Sequence, residues 1–288
     1  MHRKFITVLR MIKFSHSLFA LPFAMGVYLV YVDVKHVEML FLLLIAMVSA
    51  RSGAMAFNRL VDRRSDAKNP RTRGRELPRK ALSVPFVAMF TAGAAAVFLV
   101  SAAFLNSLAF MLSPIALVFL FGYSYTKRFT FLSHIVLGIA LALAPAGVMV
   151  GITGSIDLRI IPLVCAVTCW VAGFDIIYSL ADTAFDRKHR LHSLPADLGM
   201  IPAKVISVSL HASFIVLLVL YGIVMHFGIA YWAAVTVCTL VLGYGYIRMV
   251  RSAFRDDGFF FFNVNVAVSV SFFAGMLVER FSSQLFRL

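Results

Sequence analysis

Charge is scarce in this 288-residue chain: 14% of its residues are Asp, Glu, Lys or Arg, 61% are hydrophobic, and mean hydropathy is +0.90. So little polar material cannot cover a water-soluble globule of this size, and that class is excluded. The alternating segments of roughly ten residues that a transmembrane β-barrel requires are missing too, because the apolar runs are long and continuous. Cysteine is rare. Cys165, Cys169 and Cys238 sit in apolar runs without metal-type partners, so they read as packed thiols and carry no redox argument. No small-x-small cleavage site follows the first apolar run, which reads as an uncleaved first helix behind Arg3, Lys4, Arg10 and Lys13. Scarcest of all is acid: 13 Asp and Glu stand against 27 Lys and Arg, for a formal charge of +14.

What is present is an all-α, polytopic membrane pattern in one domain, 1–288. Apolar windows give nine spans, at 14–32, 37–57, 85–104, 107–122, 131–151, 160–181, 203–225, 229–247 and 259–279. With nine crossings, the N-terminus and the loops after spans 2, 4, 6 and 8 share one side of the bilayer. That side collects 22 of the 27 basic residues: four in the N-terminal segment, nine between Asn58 and Ser83, then Lys127, Arg128, Arg187, Lys188, Arg190, Lys204, Arg248, Arg251 and Arg255. The other side holds Lys35, Arg159, Arg280 and Arg287, and Arg51 lies inside span 2. The positive-inside rule makes the rich face cytoplasmic. A topology signal plus attraction to anionic lipid accounts for much of this excess. Interleaving of the basic residues with hydrophobic spans argues against a nucleic-acid partner.

The acids need another explanation, because several gather on the face where topology asks for none. One cluster closes span 2, where Asn58, Asp62 and Asp66 are spaced i, i+4, i+8 and read as one helical face, with Arg51 two turns deeper on it. A second closes span 6, with Asp175, Tyr178, Asp182 and Asp186 at i, i+3, i+7 and i+11. Any one acid near a helix end is ordinarily solvated or a cap; the joint pattern is not. Two facing carboxylate stripes repel unless a cation sits between them. Mg²⁺ is the natural choice, since it takes hard oxygen ligands and keeps positions open for substrate phosphate. The surrounding Arg and Lys suit phosphate oxygens, so the pattern points to a diphosphate at the cytoplasmic mouth of a membrane cavity. The rival is a transporter or lipid-binding protein, which places polar residues mid-membrane in several helices instead of at the ends of two.

The motifs N-x-x-x-D-x-x-x-D (Asn58, Asp62, Asp66) and D-x-x-Y-x-x-x-D-x-x-x-D (Asp175, Tyr178, Asp182, Asp186) resemble the paired signatures of the UbiA superfamily of intramembrane prenyltransferases. Arg51, seven residues before the Asn, and Y-x-x-x-K-R (Tyr123, Lys127, Arg128) extend the resemblance, and the nine-helix count agrees with it. HSLFALPFA (His16 to Ala24) and NPRTRGRELP (Asn69 to Pro78) look most like bacterial quinone-pathway members, which prenylate 4-hydroxybenzoate or, on the futalosine route to menaquinone, a dihydroxynaphthoate. The GRELP run leans toward the second group. Arg59 departs from the pattern, since many members carry Asp there.

The resemblance implies a nine-helix bundle around a central cavity, with motif-bearing halves at about 1–130 and 131–288, in the bacterial inner membrane with its active-site loops cytoplasmic. It implies transfer of a polyprenyl group from polyprenyl diphosphate to a ring carbon of an aromatic carboxylate acceptor. Mg²⁺ would be held by Asp62, Asp66, Asp182 and Asp186. Asn58, Arg64, Arg71, Lys127 and Arg128 would serve the diphosphate. Asp175 or Tyr178 would orient the acceptor or receive a proton, a part the bound diphosphate could also take. Arg51 has two readings, a fork for the acceptor carboxylate or a structural pair with a motif aspartate. His189 and His192 read as loop residues outside the site.

Overall fold

The computed structural model describes residues 2–14, 17–32, 38–254 and 257–285; His16, Lys35, Arg255 and Arg287 lie outside the described residues. Its elements are α1 (His2–Met11), α2 (Ser17–Tyr31), α3 (Glu38–Lys68), α4 (Val84–Leu105), α5 (Ser107–Thr126), α6 (Ser133–Thr153), α7 (Ile161–Ser179), α8 (Thr183–His189), α9 (Leu194–Asp197), α10 (Met200–Met225), α11 (Ile229–Arg251), α12 (Asp257–Phe259) and α13 (Asn265–Leu285). Single turns of tighter helix precede and follow α7, and a π-turn over Phe260–Val264 leads into α13. Eight helical stretches are long and apolar enough to cross a membrane, and the shorter apolar run Phe19–Tyr31 supplies a ninth, in accord with the expected spans.

Two elements differ from the sequence reading. Helix α1 precedes the first span and buries Met11, with Ile12 just beyond it, against Ala56, Leu77, Leu82 and Val87, so the N-terminal segment is part of the bundle. Helix α3 continues eleven residues past the expected end of its span. Its 31 residues measure about 46 Å against a hydrocarbon layer of about 30 Å. The last three turns, which carry the first acidic cluster, therefore stand clear of the apolar layer.

Turn chemistry sets where the helices reverse. Ser83 caps α4 by accepting the Phe86 N–H, with Pro85 in the first turn. Asn106 ends α4 and caps α5 through the Ala109 N–H at 2.8 Å, and its amide donates to the Val150 and Gly151 carbonyls at 2.9 and 3.0 Å. Cross-ties at that same end join Tyr31 to Asp157, Arg280 to the Val32 carbonyl, and Glu279 to the N–H groups of Gly228 and Tyr231 that open α11. All the acidic motifs lie at the opposite end. An aromatic knot of Phe23, Trp170, Phe214 and Phe272 joins α2, α7, α10 and α13.

Helix α6 runs against α7 closely enough that a Cβ on Gly138 would lie 2.4 Å from the Thr168 carbonyl oxygen. One turn before Gly138 is His134, and two turns after Thr168 is Asp175, so this contact sets the distance between them. Gly138→Ala pushes backbone against backbone and is expected to cost about 1–3 kcal/mol, read as a lower melting temperature. Gly147→Ala on the same helix, where an added Cβ meets nothing within 4 Å, is the control and should leave stability unchanged or slightly raised.

Candidate active site

The helices enclose a cavity of about 800 Å³. One end is apolar, lined by Leu43, Met47, Leu105, Leu112, Ala144 and Val148. At the other converge Lys13, Asn58, Asp62, Arg71, Arg75, Lys127, Asp175, Tyr178, Asp182 and Asp186. Two helix ends remote in sequence thus deliver their acids to one mouth.

Asp62 is 2% exposed and takes a short contact from the Lys127 ammonium, with the Asn58 amide at 3.2 Å from the same oxygen. Its second oxygen, Oδ1, is buried without a hydrogen-bond partner among the described residues, although the Arg128 guanidinium lies 3.5 Å away. An orphaned carboxylate oxygen at this position suits a missing cation.

The loop after α3 crosses from the first cluster to the second. Asn69 accepts the Arg71 N–H through its side chain, a tight polar turn, and its amide donates to Asp182 at 3.1 Å. Arg71 then pairs with Asp182 at 2.7 Å, donates to the Tyr178 carbonyl and stacks 4.1 Å above the Tyr178 ring. Asp186 accepts the Ser193 hydroxyl at 3.0 Å.

Asp66 is positioned differently from its expected place in the stripe. Each i+4 step on a helix advances about 40°, so two steps carry Asp66 about 80° round from Asn58. Its carboxylate points to the loop, where one Arg75 nitrogen donates to both oxygens at 2.7 and 2.9 Å. Arg64 belongs to another face of α3. With Phe57, Leu60, Val61 and Lys68 it lines a separate depression, together with Arg128. Arg59 is buried and donates to the Met11 carbonyl, tying α1 to α3. Arg51 and Tyr123 line the cavity deeper in, and His192 reaches its rim.

Two residues absent from the sequence-derived site emerge. His134, 3% exposed, accepts the Leu194 N–H at Nε2 (3.3 Å), so its proton resides on Nδ1 and donates to Asp175 at 2.7 Å. Its signal in the sequence was a titratable side chain within a span. Lys13, in the turn after α1, places its ammonium 5.8 Å from the Tyr178 ring.

Among the described residues no three His, Cys, Asp or Glu side chains form a ready-made metal cage. Asp62, Asp175, Asp182 and Asp186 line one cavity without closing into a cage, as suits an ion that shares its coordination sphere with phosphate. Acids and cations at the mouth of an apolar chamber inside a membrane bundle define an integral-membrane enzyme acting on an anionic, lipophilic substrate. The chain belongs to the UbiA prenyltransferase family, whose model matches residues 19–267. It is a multi-pass membrane prenyltransferase. It is 28% identical over 239 residues to a 4-hydroxybenzoate octaprenyltransferase of Pseudoalteromonas translucida, covering 81% of this chain and 79% of that one. To the Nitrosospira multiformis enzyme of the same name it is 27% identical over 259 residues, covering 90% and 88%. Among solved structures, the apo UbiA homolog from Aeropyrum pernix superposes with TM-score 0.83 at 33% identity, over 92% of this chain and 98% of that one. The Archaeoglobus fulgidus homolog bound to GPP and Mg²⁺ shares the fold, with TM-score 0.73 at 22% identity over 95% and 99%.

Burial, then the charges of Arg59, Arg75 and Arg71, push the Lys13 pKa down to about 8. Because the folded value lies below the ordinary 10.5, the unliganded fold gains stability from this group as pH rises from 8 toward 10.5 and loses it on the way down. A bound polyanion favours the protonated ammonium. Affinity for inorganic diphosphate should therefore fall as pH climbs above 8, with proton uptake on binding, and Lys13→Met should flatten that slope in calorimetry run in buffers of different ionisation enthalpy.

Proposed function

We propose that the enzyme transfers a polyprenyl group from its diphosphate to a ring carbon of an aromatic carboxylic acid, in a step of ubiquinone or menaquinone biosynthesis. The observation that carries this reading is the polarity of the chamber, with opposed carboxylates and cations at its mouth and Arg51 further in beside an apolar interior. The names of the bacterial relatives and the GPP-bound and Mg²⁺-bound neighbour support it. By the excess of basic loops, the mouth faces the cytoplasm of a bacterial inner membrane.

The reaction breaks an allylic C–O bond, sends its electron pair to the diphosphate, joins the allylic carbon to the ring and releases the ring proton. Asp62 and Asp66 on one side and Asp182 and Asp186 on the other would hold Mg²⁺, Asp66 by giving up Arg75. When bound, Mg²⁺ neutralises diphosphate oxygens as charge builds on the leaving group. Lys127, Arg71 and Asn58 supply further charge and hydrogen bonds to those oxygens. Tyr178, held between Phe261 at 4.3 Å and the Arg71 guanidinium, is fixed in place to orient the acceptor or receive a proton through its hydroxyl. Asp175, held by the His134 N–H, is the acceptor-side carboxylate; it takes a hydrogen bond from the acceptor hydroxyl or receives the ring proton. Arg51 presents its fork to the acceptor carboxylate. The prenyl tail runs along the apolar end of the chamber.

The acceptor is 4-hydroxybenzoate by the names of the relatives, and the GRELP run supports 1,4-dihydroxy-6-naphthoate as the second reading. Membranes carrying the enzyme, supplied with Mg²⁺, a polyprenyl diphosphate and each acid in turn, should yield one prenylated acid by mass spectrometry. Absence of product with both acids rejects the proposal. Asp62→Ala and Asp182→Ala should each lose at least about a hundredfold in kcat while still inserting into membranes. Arg51→Ala should raise the acceptor KM more than the donor KM, whereas equal effects on both would assign it a structural role.

A further inference from the structure

The second depression, about 660 Å³, lies outside the chamber, on another face of α3. Phe57, Leu60, Val61, Arg64 and Lys68 follow one another at i, i+3, i+4, i+7 and i+11, a single helical stripe about 120° from the face that carries Asn58 and Asp62. Arg63, Arg128 and His189 add to its wall, and no Asp or Glu lines it. Among the described residues, no carboxylate comes within ion-pair distance of Arg63, Arg64 or Lys68. Arg63 donates only to the Leu60 carbonyl of its own helix. Basic side chains gathered this closely without an acid repel one another unless an anion joins them.

The rest of the depression says what kind of anion. Its lower wall is aromatic and apolar: Phe57 stacks on Phe121 at 4.6 Å and meets Tyr125 edge-on at 6.0 Å, and the Arg128 guanidinium sits 5.2 Å from the Tyr125 ring. Below Tyr125 on α5, Val118 is 71% exposed, so the apolar strip continues toward the middle of the bilayer. The cations stand where the apolar windows of spans 2 and 4 end, at the level of the lipid headgroups. A cationic rim over an aromatic wall that descends along an apolar helix face complements an amphiphile with a phosphate head. Arginine forks fit phosphate oxygens, and among the described residues the basic side chains of this depression have no carboxylate in ion-pair range except Arg128, which is shared with Asp62.

We propose that this depression binds the phosphodiester headgroup of an anionic phospholipid, with an acyl chain lying along Phe57, Phe121 and Val118. The same chemistry is offered by free diphosphate, and the test separates the two. The enzyme is reconstituted in vesicles of phosphatidylcholine with a minority of phosphatidylglycerol, released into the mass spectrometer with its bound lipids, and the retained lipids are counted. Phosphatidylglycerol should be retained in preference to phosphatidylcholine, and Arg63→Gln with Lys68→Gln should cut that retention by at least about tenfold. A charge-matched pair elsewhere, Arg73→Gln with Lys80→Gln, should leave it unchanged, and unaltered melting temperatures show that both variants fold. Equal retention of the two lipids, or equal loss in both double variants, overturns the proposal. Displacement of the lipid by inorganic diphosphate as effective as that by added phosphatidylglycerol overturns it in favour of a site for the free anion. Because lipid retention is read without turnover, the result stands independently of the acceptor assay.

Discussion

Carboxylates brought face to face inside an apolar bundle must be neutralised, and that requirement organises this enzyme. Each motif aspartate has its own partner: Asp62 has Lys127, Asp66 has Arg75, Asp182 has Arg71 and Asn69, Asp175 has His134, and Asp186 has the Ser193 hydroxyl. These partners come from four different stretches of chain, so the site holds the bundle together as much as the bundle holds the site. The loop after α3 has to fold across the chamber because Arg71 and Asn69 are needed on the far side. α6 has to lie against α7 at Gly138 because His134 must reach Asp175.

Much of the fold was legible because a bilayer imposes a simple code. Apolar runs of the right length, and charge confined to one set of loops, fixed the crossings to within a few residues, as the agreement of 107–122 with Ser107–Thr126 illustrates. The paired acidic motifs were legible for the same reason, since acid is costly there and stands out. What escaped was rotation and partnership. Spacing of i, i+4, i+8 suggests one face until the drift of each step is added up, and that drift turns Asp66 toward Arg75. Arg64 fell on the wrong side of α3 by the same arithmetic. His134 was hidden in an apolar run, and nothing local announced that Asp175 would lie beside it, because their contact depends on two helices touching at a glycine.

The two basic regions of the molecule differ in what surrounds them. Around the chamber, cations alternate with acids, so charge is balanced and the contacts are specific in number and direction. On the outer face of α3 the cations lie together over aromatic rings with no acid among them. One composition of residues thus yields an interior where acids and cations meet and an outer face of α3 where cations stand without acids. Arg128 touches both, lining the outer depression while its guanidinium lies 3.5 Å from Asp62.

The pairing of Asp182 with Arg71, and of Asp66 with Arg75, has a consequence for the order of events. Built-in counter-ions already sit against Asp66 and Asp182, so on the proposed assignment of these acids to the metal a lone divalent ion would have to displace them. A metal escorted by diphosphate would bring negative charge of its own, to which the displaced arginines could pair. On that assignment the two arginines would act as gatekeepers, and the acids would take up metal and donor together.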